Sequence, residues 1–172
     1  MAHEYRATIR WTRGAEESFS DNRYSRGHTW FFDGGIEVPG SASPSVVPLP
    51  LSREDAVDPE EAFVAAVSSC HMLTFLSIAA KKRFVVDRYE DKALGVMTKN
   101  ENGKLFVSKV TLDPAIEFSG DKQPSAEQIA DMHHLAHKEC FIANSVLTEI
   151  VVAGIPSHEE HSINHHTHSP PP

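Results

Sequence analysis

The order of local signals along the 172-residue chain predicts an α+β fold, with strands, a long helix, more strands, a second helix and a last strand. Three stretches carry that expectation. TWFFDGGIEV (residues 29–38) reads as two strands around Asp33-Gly34-Gly35, where glycine supplies the positive φ that a tight hairpin turn needs. Asp58-Pro59-Glu60-Glu61 is a helix start: Asp58 caps, Pro59 suits the first helical position and Glu61 stands at the capping-box spacing. Residues 84–99 and 105–118 read as two long strands around Asn100-Glu101-Asn102-Gly103, whose Asn-Gly favours a hairpin.

The remaining elements follow in order. EYRATIRW (4–11) alternates as a strand with Tyr5, Ala7, Ile9 and Trp11 on one face. PGSASPSVVPLPL (39–51) carries four prolines, which lack the amide donor that a central strand requires, and reads as an extended loop. The helix from Pro59 is expected to run to about Lys82. Phe63, Ala66, Val67, Cys70, Leu73 and Ile78 recur at helical spacing, while Val64, Met72, Phe75, Leu76 and Ala79 extend the apolar surface almost all round. A helix of this kind is buried on several sides, by its own domain or by a partner subunit. Lys81, Lys82 and Arg83 suit the negative end of its dipole.

Beyond it, Gly95 is a candidate bulge position. Ser125 with Gln128 forms a second capping box, and Ile129, Met132, Leu135 and Ala136 supply the apolar stripe of a helix ending near Cys140. SVLTEIVVA (145–153) is the final strand. Residues 1–156 are expected to form a single domain, and 157–172, SHEEHSINHHTHSPPP, a disordered His-rich tail without hydrophobic pattern.

Composition narrows the functional classes. A hydrophobic fraction of 40% is enough for a core, and a formal charge of −8 argues against nucleic acid or an anionic membrane as partner. No run is expected to span a bilayer, and MAHEYRATIRW lacks the apolar core of a signal peptide, so the expected location is the cytoplasm. In that reducing compartment Cys70 and Cys140 are catalytic, regulatory or simply buried in preference to a permanent bridge. A thiol attacks as its thiolate, yet Cys70 lies too far inside its helix to use the N-terminal amides, and a separate cation must be brought in by the fold. Taken alone, a cysteine on an apolar helix is a packing residue.

Resemblance shifts that balance. DPEEAFVAAVSSCHMLTFLSIAA (58–80) resembles the nucleophile helix of the OsmC/Ohr superfamily, the osmotically inducible and organic-hydroperoxide-resistance proteins. RYSRGHTWFFDGG (23–35) resembles the arginine-bearing segment of the OsmC-like branch. YEDKALGVM (89–97) is similar to the strand after the helix, and AHKECFIANSV (136–146) to the segment with the second cysteine. The resemblance implies an OsmC-like fold, antiparallel sheets packed around a central buried helix in an intertwined homodimer with sites at the subunit interface. It also implies a thiol peroxidase acting on organic hydroperoxides without a cofactor or metal. Cys70 matches the peroxidatic cysteine, Cys140 the resolving one, and Glu60 the glutamate that orients the active-site arginine. Arg26 is the best match for that arginine, with Arg23, Arg13 and Arg6 as alternatives. A dithiol, in the family often dihydrolipoamide on a lipoylated partner protein, would close the cycle. One departure stands out: Phe141 follows Cys140 where many peroxidase members have proline. A non-catalytic redox-sensing or small-molecule-binding dimer of the same fold is the alternative.

Helix geometry bears on assembly. Glu60 and Cys70 are ten positions apart, roughly 15 Å along one helix and about 80° around it. If both serve one site, Glu60 and its arginine come from the other subunit.

Other chemistry is weaker. His133 and His137 share a helix face at zinc-ligand spacing, but the glutamate of an HExxH motif is absent, and they read as surface or satisfied polar residues. His71 turns about 100° away from Cys70 and is not assigned to catalysis. Ser68 and Ser69 lack a nucleophile elbow and read as packing or back-bonding residues. His158, His161, His165, His166 and His168 belong to the tail.

Overall fold

The structure, a computed structural model of the single chain, describes residues 2–156. The expected tail, with its five histidines, lies outside the described residues. The chain divides into two compact units between Ala65 and Ala66, inside the long helix.

The first unit is built on a three-stranded antiparallel sheet, β1 (Ala7–Arg10), β2 (His28–Phe32) and β3 (Glu37–Gly40), in the order β1-β2-β3. The β2–β3 hairpin turns where Asp33-Gly34-Gly35 predicts it, with Gly35 at φ +76° and Trp30 opposite Val38. Strand β3 runs through Pro39 into the segment expected as loop, and an edge position tolerates the missing donor. Gly40 is required there: a Cβ would stand 2.6 Å from His28 Nε2 and 2.7 Å from Trp30 Nε1. A single parallel bridge joins Gly40 to Val57. Asp58 then opens α1 (Pro59–Lys81) by the expected capping box. Glu61 N donates to Asp58 Oδ1 at 2.8 Å, and Asp58 N donates to Glu61 Oε2.

In the second unit α1 buries one stripe, Val67, His71, Phe75, Ile78 and Ala79, and leaves Leu73 exposed. Burial on several sides is therefore not reached within the chain. α1 also has the length and apolar composition to cross a membrane, against the sequence expectation, although a core helix meets the same test. It ends in a Schellman motif: Phe84 N donates to Ala79 O, Arg83 N to Ala80 O, and Arg83 takes the left-handed conformation at φ +64°.

The two long strands are each broken in two, giving β4 (Val85–Asp91), β5 (Leu94–Lys99), β6 (Leu105–Leu112) and β7 (Pro114–Ser119). β5 pairs with β6 and β4 with β7, both antiparallel. Pro114 brings no amide donor, and Asp91 Oδ1 accepts the Asp113 amide at 2.7 Å where the ribbon breaks. The register shift falls at Val96/Met97, not at Gly95, with a second at Val86/Arg88. Helix α2 (Ala126–Glu139) has both halves of its Ser125–Gln128 capping box and Cys140 as its C-cap. A 3-10 turn (Ala143–Ser145) leads to β8 (Glu149–Val152), which pairs with β6 in parallel, so the sheets are not all antiparallel. Phe75, Ile78, Ala79, Phe84, Met132 and Ala136 form the core, flanked by Tyr89, Ile116, Phe118 and Ile129.

Candidate active site

Two thiols come together from opposite ends of the second unit's sequence. Cys70 is half-buried beside the apolar stripe of α1, and Cys140 is buried at the end of α2; both are free thiols. Cys70 lies close enough to Cys140 to act on its proton. Burial pushes the Cys140 thiol up, the neighbouring Cys70 thiol and its charge push it further, and the Ala143 and Ile142 amides pull against them. Ala143 N reaches the Cys140 sulfur at 3.5 Å.

The local sequence holds this corner in place. Asn144 donates through Nδ2 to the carbonyls of Lys138 and Cys140, and its own amide donates to Cys140 O, so the last carbonyls of α2 find donors in the turn. Phe141 is 80% exposed, which excludes it from core packing in the single chain. On α1, Thr74 Oγ1 bonds back to Cys70 O at 2.9 Å. Ser68 does not bond back: its hydroxyl donates to Asp91, tying α1 to the break in the ribbon.

Beside the thiols lies a buried histidine pair that the sequence reading missed. His71 Nε2 stands 3.0 Å from His133 Nδ1, the rings are 10° from parallel, and Phe75 packs on His133. His71 is 1% and His133 3% exposed, so His133 is a buried, hydrogen-bonded polar residue, the second of the two readings the sequence offered for it. Burial, then the neighbouring His133 and His137, hold His71 down to about 4, with Asp91 opposing; burial and His134 hold His133 at about 4. Both rings are neutral at pH 7. A signal was present in the sequence, because His71 falls at i+4 from Val67 and i−4 from Phe75, on the stripe that becomes buried. Tyr89, with its hydroxyl buried and unpaired among the described residues, is pushed up by burial and by Asp91.

The charged candidates belong to the first unit. Arg26 is fixed at backbone and side chain. Its amide donates to Leu51 O at 2.7 Å and its carbonyl lies 2.8 Å from His28 Nδ1. Trp30 Nε1 donates to His28 Nε2, so Nδ1 carries the ring proton and donates to Arg26 O. The guanidinium donates to Asn22 O, Asn22 Oδ1 and Tyr24 O, and lies 3.8 Å from the centre of the Tyr24 ring. All these partners are neutral. Glu60 stands half-buried in the first turn of α1 with no hydrogen bond or ion pair among the described residues, so the chain alone does not join it to Arg26. Of the other arginines, Arg13 bonds its own loop, Arg6 pairs with Glu4, and Arg23 makes only a backbone bond to Asp21. Among the described residues no cluster of three or more His, Cys, Asp or Glu side chains is placed to hold a metal.

The described residues thus form an α+β chain with two neighbouring free thiols, one on each helix or at its end. The family model for OsmC-like proteins matches residues 52–153, and the chain belongs to that family. Comparison with curated proteins gave no significant match. Among solved structures it is similar to an OsmC-like protein of unknown function from Vibrio cholerae, 58% identical with a TM-score of 0.86, over 88% of this chain and 98% of that one. It also shares its fold with an organic hydroperoxide resistance protein from Elizabethkingia anophelis, at 18% identity and TM-score 0.61 over 88% and 98%. A third similar structure is an organic hydroperoxide resistance protein of Bacillus subtilis, at 14% and 0.60 over 87% and 96%.

Proposed function

We propose that this protein is a cysteine-based peroxidase that reduces organic hydroperoxides to alcohols. The observation that carries the reading is the proximity of two free thiols, Cys70 and Cys140, from positions 70 residues apart in the chain. The Cys70 thiolate attacks the O–O bond, forming Cys70–SOH and releasing an alkoxide that takes a proton to become the alcohol. The Cys140 thiol then condenses with the sulfenic acid, forming the disulfide and releasing water. A dithiol reductant, such as dihydrolipoamide on a lipoylated protein, returns both cysteines to thiols and is left as its own disulfide.

The surroundings of Cys140 support that division of roles. Its proton is held by burial and by the neighbouring Cys70 thiol and the charge there. Once Cys70 is oxidised its charge is gone, while the Ala143 and Ile142 amides remain to favour the Cys140 thiolate. Resolution then follows attack and does not compete with it.

The cation that Cys70 needs is Arg26 of a second copy, oriented by Glu60 of that copy, in a homodimer. Glu60 and Cys70 lie ten positions apart on one unbroken helix of a single chain. Arg26 has only neutral partners, so its positive charge is available to a thiolate and to the peroxide oxygen. The names of the two organic hydroperoxide resistance proteins that share the fold point to the substrate class.

Titration with cumene hydroperoxide, read by mass, tests the proposal. Wild type loses two hydrogens as the Cys70–Cys140 disulfide forms. Cys70→Ser loses all turnover, a fall of at least about a thousandfold, and Cys140→Ser stops at a sulfenic acid that dimedone traps. Thiols that stay free under excess hydroperoxide would overturn the peroxidase and leave a redox-sensing or ligand-binding dimer.

A further inference from the structure

Disulfide closure requires two sulfurs on different helices to meet at bonding distance, and α1 and α2 offer few polar ways to fix their register. Their shared core is apolar: Phe75, Ile78 and Ala79 on α1, Met132 and Ala136 on α2. Such surfaces slide at small cost, because the hydrophobic effect is not directional. Between the two helices, among the described residues, His71 Nε2 and His133 Nδ1 share a hydrogen bond at 3.0 Å. His71 follows Cys70 directly. His133 precedes Cys140 by seven residues, about two turns and roughly 10 Å along α2, on nearly the same side. The histidine pair and the thiol pair are therefore two pins in one helix contact.

We propose that His71 and His133 are positioning residues for disulfide closure: His71 donates from Nε2 to His133 Nδ1, and this bond holds the Cys70 helix in register with the helix that ends in Cys140. The donor follows from what surrounds His71. Its Nδ1 is buried with no partner among the described residues. A neutral imidazole carries one proton, and a buried N–H without an acceptor is worse tolerated than an unused lone pair. The proton therefore sits on Nε2, where an acceptor waits, and His133 is protonated on its own Nε2. The groups facing the pair are His137 and Asp91 at His71 and His134 at His133. The role rests on reading Cys70 and Cys140 as the attacking and resolving thiols, but the bond and its effect on their pairing do not require a hydroperoxide.

The test therefore has two arms. In the first, the reduced protein is equilibrated with mixtures of reduced and oxidised glutathione and the disulfide fraction is read by mass. In the second, the closure rate after one equivalent of cumene hydroperoxide is followed against dimedone trapping of Cys70–SOH. His133→Leu is expected to lower the disulfide equilibrium constant and the closure rate, each about tenfold, with formation of the sulfenic acid within about twofold of wild type. His133→Asn, whose Oδ1 can accept the His71 proton, is expected to recover most of both. A folded His133→Leu with unchanged equilibrium and closure overturns the proposal. A tenfold loss against glutathione in a protein that ignores hydroperoxides keeps the positioning role and removes the peroxidase. If His133→Leu does not fold, 15N NMR of the wild-type imidazoles decides: a His71 proton on Nε2 supports the assignment, and one on Nδ1 overturns it.

Discussion

The two units differ in what they bury. Every hydrophobic side chain buried in the described residues lies between Val67 and Cys140, whereas the first unit buries Gly40, Ser41, Ser52 and Asp58 and exposes Ile9, Phe19, Phe32, Ile36 and Val46. Its order comes from strand pairing and from contacts such as Trp11 with Phe19 and Tyr24. A segment of that length without a buried apolar side chain does not offset the entropy of ordering it. The comparison teaches where the proposed second copy would have most to cover: the unit with both cysteines buries an apolar core within one chain, and the unit with the arginine and glutamate does not.

Three measurements sharpen the contrast. Phe75→Ala, fully buried against Tyr89 and His133, should lose about 3–5 kcal/mol by chemical denaturation. Ile9→Ala, 58% exposed in the single chain, should stay within about 0.5 kcal/mol unless another copy covers it. A loss at Ile9 that grows with protein concentration would place the dimer contact on β1.

Acid should act next, through the histidine pair of the second unit. His71 and His133 are both held at about 4 in the fold and return to 6.5 on unfolding. The unfolded state binds more protons between those values, so stability is full above about pH 6.5 and is lost as pH falls towards 4. One histidine taken alone amounts to about 3 kcal/mol, and the two titrate as a coupled pair. Denaturation at pH 7 and pH 4.5 measures it, and His71→Leu with His133→Leu should flatten the dependence over this range.

The smallest effect compares the same device in both units. Asp58→Ala and Ser125→Ala each remove a helix cap and should each cost about 1 kcal/mol by thermal unfolding. Asp58 is buried and belongs to the less covered unit, so a larger loss there would mark α1's first turn as part of an interface.

Local chemistry was readable from the chain. The two capping boxes, the Asp33-Gly34-Gly35 turn and the Asn100–Gly103 turn depend on neighbours within four residues, and the structure has all of them where the sequence places them. The break in the long ribbon was also written there, in Asp113-Pro114, but hydrophobic pattern outweighed it. Cys70, Cys140, Arg26 and Glu60 were singled out through the family resemblance, since no spacing joins residues so far apart.

The sequence by itself determined the helices, the tight turns and the α+β order, because these rest on backbone conformation and on bonds between near neighbours. Tertiary structure alone decided that β8 runs parallel to β6, that the Cys140 thiol lies beside Cys70, and that His71 meets His133 across 62 residues. Those contacts arise from packing one apolar stripe against another, and a stripe specifies that it will be covered without naming the polar side chains brought together beneath the cover.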